Sequence, residues 1–75
     1  MEDIREILGL NLRASRRKCG MTQEALRDAT GISQQYLSEL EAGKRNPTIG
    51  TLTKLALALR VDEAELLRRK PLDLP

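Results

Sequence analysis

Histidine, tryptophan and phenylalanine are absent from this chain, cysteine and tyrosine occur once each, and the three prolines all fall late, at Pro47, Pro71 and Pro75. A single cysteine, Cys19, closes no internal disulfide, and without histidine the usual side-chain set for a zinc or haem site is missing, so no metal or cofactor is expected. Cys19 itself reads as a small residue near a helix end. No run of about 18 apolar residues offers a membrane span, and MEDIREILG carries acids where a signal peptide carries a basic region. A soluble, cytoplasmic chain with no membrane partner is expected. Catalysis is argued against as well: there is no Gly-rich phosphate loop and no nucleophile set beside a base.

What is there is leucine, alanine, glutamate and arginine, with nothing that alternates like a strand, which favours an all-α fold. A chain of 75 residues has room for one compact domain, and one this small buries only about 60% of its unfolded surface. The domain is expected over residues 1–70, with 71–75 a short tail. The net charge of +2 decides little, but its distribution is uneven. Arg13, Arg16, Arg17 and Lys18 cluster, and Lys44 and Arg45 sit together, while Glu2, Asp3, Glu6, Asp62, Glu63 and Glu65 lie towards the two ends. A solvated basic face accounts for this equally well.

Ile4, Ile7, Leu8 and Leu12 recur at helical spacing and predict a first helix over roughly residues 3–18, closed by Gly20. Thr22 caps a second helix carrying Ala25, Leu26 and Ala29, which Gly31 ends after barely two turns. Ser33 caps a third, about 33–41, with Leu37 and Leu40 inward and Gln34, Gln35, Ser38 and Glu39 outward. Ala42-Gly43 closes it and Lys44-Arg45-Asn46-Pro47 forms a loop. Thr48 caps a fourth helix with Leu52, Leu55, Ala56 and Leu59 on its apolar face, and Asp62 caps a fifth carrying Ala64, Leu66 and Leu67.

Two helices too short to stand alone, joined through Gly31 and a serine cap, predict a helix-turn-helix unit. Its third helix points a positive N-terminal end towards phosphates and sets amides where base edges are read. Gln34 and Gln35 suit adenine, each good bidentate pair discriminating by about 1–3 kcal/mol. Ser38 and Glu39 reach flanking bases, Glu39 as an acceptor for cytosine, and Tyr36 meets a thymine methyl or a phosphate. Any one of these taken singly is as well read as a solvated helix position.

From about Leu8 to Leu67 the chain resembles the Xre/Cro-type, phage-repressor-like helix-turn-helix family. The resemblance is carried by Gly9 to Arg13, Arg16, Gly20 to Glu24, Leu26, Gly31 to Ser33, Tyr36-Leu37, Leu40-Glu41, Gly43, Arg45, Pro47 and Leu52. It implies a five-helix, lambda-repressor-like domain that binds double-stranded DNA as a homodimer on a near-palindromic operator, like small stand-alone controller proteins and repressors. By the same resemblance Gln23 contacts a phosphate and buttresses Gln34, Arg16 and Glu41 form a salt bridge, and Lys44, Arg45, Asn46 and Thr48 line a second phosphate strand, with Thr22 beside Gln23. Ile49, Leu52, Val61, Leu66 and Leu67 are its candidates for the dimer surface, some of them needed by the core.

Three positions depart from the family pattern: Arg27 stands where a small residue is usual, Ser15 replaces an apolar residue, and Arg60 replaces the glycine that ends the fourth helix. Regulation without a small-molecule effector is expected, its sign set by where the operator lies relative to the promoter. An RNA polymerase contact through Glu39 or Glu41 is a minor reading. The alternative is an antitoxin or adaptor whose main partner is a protein, docked through Leu72 and Leu74; the tail PLDLP either frays or lies over a partner subunit.

Overall fold

The structure, a computed structural model, describes residues 3–69. Five helices follow one another, α1 (Ile4–Lys18), α2 (Gln23–Thr30), α3 (Gln34–Glu41), α4 (Ile49–Leu59) and α5 (Glu63–Leu67), and no strand occurs among the described residues. No helix among them is long and apolar enough to cross a membrane. The expected tail 71–75, with Leu72 and Leu74, lies outside the described residues, as do Met1, Glu2 and Lys70.

Side-chain caps set four of the helix starts. Asp3, Thr22, Ser33 and Thr48 accept from the backbone N–H of Arg5, Ala25, Tyr36 and Thr51 at 2.8, 3.0, 3.1 and 3.2 Å. Hydrogen bonds from the Arg5 side chain and its N–H hold the Asp3 carboxyl down at about 2. The fifth start differs from expectation: Asp62 precedes α5 but makes no side-chain cap, and Glu63 instead accepts from Thr53 Oγ1 at 2.9 Å, tying α5 to α4. At the other ends, Gly31 takes the left-handed conformation at φ 77°, and so does Arg60, a non-glycine residue, at φ 59°.

Leucine builds the core. Leu8, Leu12, Leu26, Leu37, Leu40, Leu52, Leu55, Leu59 and Leu66 interlock with Ala56, and the lone ring, Tyr36, packs at its edge. The short α2 contributes less than its sequence suggests: Leu26 is its one buried residue and Ala29 is exposed. Arg27 resolves its misfit by turning outward onto Asp28, 3.0 Å away, and stays exposed rather than entering the space between the helices.

Two α1 residues fix how the layers meet. At Gly9 a β-carbon would stand 2.6 Å from the Leu40 carbonyl oxygen and 2.7 Å from that of Glu41, so only glycine lets α1 lie directly on the end of α3. Asn11, a buried polar residue, donates through Nδ2 to the carbonyls of Leu66 at 3.0 Å and Arg68 at 2.9 Å. It thereby satisfies the orphan carbonyls at the end of α5 and holds that helix on α1.

Gly9→Ala is expected to destabilise the fold by about 1–3 kcal/mol, because backbone rather than a flexible side chain must give way. Arg60→Gly is expected to act oppositely, by about 1 kcal/mol, since it removes the left-handed strain of a side-chain-bearing residue. Urea unfolding of the two variants checks both signs.

Candidate nucleic-acid interface

The turn between α2 and α3 is tied by local hydrogen bonds. Gly31 N donates to the Arg27 carbonyl at 2.7 Å, Thr30 Oγ1 donates to the Leu26 carbonyl at 2.8 Å, and the Ile32 N–H donates back to Thr30 Oγ1 at 3.2 Å. With Leu37 and Leu40 buried, the outer face of α3 carries Gln34, Gln35, Ser38 and Glu39. Gln35 and Ser38 are exposed, while Gln34 and Glu39 are half-buried.

Glu41 is the hub behind this face. Arg16 grips it with two bonds, Nε to Oε2 at 2.7 Å and Nη2 to Oε1 at 3.1 Å, and sends Nη1 to the Met21 carbonyl at 2.9 Å. The side chains of Arg16 and Glu41 are only 12% and 6% exposed. The Glu41 hydrogen bond raises the Arg16 guanidinium above its ordinary range.

Gln23 corrects an expectation. It does not buttress Gln34 but donates through Nε2 to Glu41 Oε1 at 3.2 Å, and Gln34 reaches Glu24 Oε2 instead, across a long 3.4 Å contact. The reason is chemical: a buried carboxylate held by one arginine still has lone pairs to fill, and an amide donor one helix away fills one of them. Since Glu41 is enclosed, an RNA polymerase contact could rest only on Glu39.

Glu39 is engaged too. Arg45 in the loop donates Nε to its Oε1 at 2.8 Å, lies 4.9 Å over the Tyr36 ring, and holds the Glu39 carboxyl below its usual range. The Lys44 N–H donates to the Glu39 carbonyl at 2.9 Å, so the first half of the loop is fastened to α3. Lys44 and Asn46 are exposed. Thr22 and Thr48 spend their hydroxyl oxygens as caps, and Thr48 also donates to Thr51 Oγ1 at 3.2 Å.

The five candidates for a dimer surface divide. Leu66, 0% exposed, fills this protomer's own core, and Leu52, 7% exposed, belongs to that core while also lining the floor of the groove formed by Ile4, Leu8 and Ile49. Ile49 and Leu67 are 78% and 36% exposed, Val61 is half-buried, and Leu57, which was not among the candidates, is 74% exposed on the side of α4 opposite Leu52, Leu55, Ala56 and Leu59. Ile4, Leu8, Pro47, Ile49 and Leu67 line one apolar groove between the starts of α1 and α4 and the end of α5.

Residues 12–66 match the helix-turn-helix family. An uncharacterized HTH-type transcriptional regulator of Sinorhizobium fredii is 52% identical over 64 residues, which span 85% of this chain and 83% of that protein. The crystal structure of the restriction-modification controller protein C.AhdI from Aeromonas hydrophila superposes with a TM-score of 0.79 at 34% identity, covering 83% of this chain and 94% of that one. The controller protein C.Esp1396I, crystallised as a tetramer in complex with its natural 35 base-pair operator, superposes at 0.76 with 25% identity, over 91% of this chain and 100% of that one.

Glu41→Ala strands Arg16 and Gln23 in a nearly closed space and is expected to lower stability by about 3 kcal/mol, measured by urea unfolding. Arg16→Ala and the double variant complete a cycle in which the two losses are strongly non-additive.

Proposed function

The chain belongs to the helix-turn-helix family of transcriptional regulators, and we propose that it binds a near-palindromic operator as a homodimer with α3 laid in the major groove. One observation carries this reading. α3 is locked from behind by the Arg16–Glu41 pair and offers Gln34, Gln35 and Ser38 outward, with Gln34 held only by the long Glu24 contact and Gln35 by its neighbour Glu39 on the same face. Rigid backing with polar tips held only by surface neighbours is what base reading requires.

In this reading Gln34, Gln35 and Ser38 meet base edges. Glu39 reads a base only while shared with Arg45, so its share is the smaller. Lys44, Arg45 and Asn46 hold one phosphate strand, with Tyr36 beneath Arg45, and Thr22 and Gln23 face the other. Thr48 acts chiefly as a cap. One such helix reads only a few base pairs, and two of them about 34 Å apart give usable specificity. The exposed apolar groove with Ile49 and Leu67 is where the second protomer docks, and Val61 lies at its margin. Such a regulator works in the cytoplasm, catalyses nothing and needs no cofactor; the placing of its operator decides whether it represses or activates.

Selection from a random duplex pool is expected to return a shared near-palindrome. Gln34→Ala and Gln35→Ala should each relax preference at their own base pair by about 1–3 kcal/mol, whereas Arg45→Ala should weaken all duplexes alike and lower the salt slope by about 1 per protomer. Affinities across a panel of single-base-pair variants separate the two patterns, and identical effects from all three substitutions would sink the division of roles.

A further inference from the structure

Apart from Arg16, the basic run at the end of α1 has no part in the interface above, yet Arg13 stands beside it. Arg13 lies between Gly9, whose backbone abuts the Leu40 and Glu41 carbonyls, and Arg16, which holds Glu41 at 2.7 Å. The spacing of four and then three residues puts all of them on the α1 face that meets the end of α3. Arg13 opens there into a small polar recess shared with Arg16, Gln23, Ser38, Glu41 and Ala42.

Charge in this recess is unbalanced. Glu41 already accepts two bonds from Arg16 and one from Gln23, and a third Arg16 N–H serves the Met21 carbonyl. Arg13 is exposed and pairs with no carboxylate among the described residues. The lining of the recess therefore holds two guanidinium groups and one carboxylate, and the next acid, Glu24, acts on Arg16 through space without pairing with Arg13.

The recess also lies on a definite side of α3. At about 100° per residue, Glu41, Gln34 and Ser38 follow one another along one edge of the outward stripe, and Glu39 and Tyr36 form the opposite edge, where Arg45 is attached. A helix in a groove has a phosphate ridge on each side. One ridge meets Lys44 and Arg45. The other meets Thr22 and Gln23, which are neutral, with the acids Glu24 and Glu41 close by.

We propose that Arg13 is a phosphate ligand, the cation that answers the DNA strand on the α2 side. The inference rests on α3 being the reading helix. Arg13 then positions the duplex without discriminating among bases, and the protein straddles the groove with a cation on either flank. The competing role is a purely structural one, in which Arg13 only complements the carbonyls at the end of α3.

The test uses the full chain, with Arg13→Ala and Arg13→Lys beside it. Fluorescence anisotropy is read against the labelled duplex recovered from a random pool and against its single-base-pair variants, over a salt series, with thermal midpoints in parallel. Arg13→Ala is expected to weaken every duplex about tenfold at low salt and to reduce the salt slope by about 2 per dimer, with the midpoint unchanged. Arg13→Lys should restore most of the slope. An unchanged slope, a loss confined to duplexes altered at one position, or a fallen midpoint with the slope intact overturns the assignment. Should the parent chain select no duplex, the regulator reading fails and takes this inference with it; a parent that selects a site which Arg13→Ala binds with the same slope sinks only the role of Arg13.

Discussion

Three helices converge on one carboxylate. Glu41 closes α3, Arg16 reaches it from α1, Gln23 reaches it from the first turn of α2, and the same arginine catches the carbonyl of Met21 in the linker between α1 and α2. Charges this enclosed are costly to desolvate, so the pair adds less net stability than its distances suggest. Its contribution is positional. A carboxylate with few accessible neighbours accepts one arrangement of donors, and that arrangement fixes the tilt of α3 relative to the helices behind it.

Gly9 makes this convergence geometrically available. Without a side chain at that point α1 sits directly on the last turn of α3, close enough for Arg16 to span the gap with a bidentate grip. Asn11, on the same helix, does the equivalent job for α5 through two backbone carbonyls. α1 is thus the spine on which both the outward helix and the end of the domain are hung, and its polar residues act as joints within an otherwise leucine core.

How much of this could be read in advance depended on the range of the interaction concerned. Caps at Thr22, Ser33 and Thr48, the reversal at Gly31 and the leucine periodicity are local, each written within four residues, and the helix boundaries follow from them. That Arg60 stands in a glycine's place was likewise legible, whereas its keeping the left-handed conformation at φ 59° was not. Asn11 and Gly9 were not, because their partners lie 55 and more than 30 residues away and nothing nearby hints at them. The partner of Gln23 was misassigned for the same reason, since Gln34 and Glu41 are both within reach of its helix end and only packing chooses between them. Leu66 illustrates a different limit: periodicity says which residues are apolar on one face, and cannot say whether that face meets its own core or a second copy.

Tyr36 carries a consequence of another kind. Its ring, the one aromatic group in the chain, packs on the edge of the leucine core below and lies under the Arg45 guanidinium above. The near-ultraviolet spectrum of the whole protein is therefore written by a single chromophore placed at the boundary between interior and outer face. The leucine interior has no optical voice of its own. An optical probe of this molecule watches the one spot where the packing of α3 and the attachment of the loop meet, which makes an aromatic-poor composition an unusually selective window on that junction.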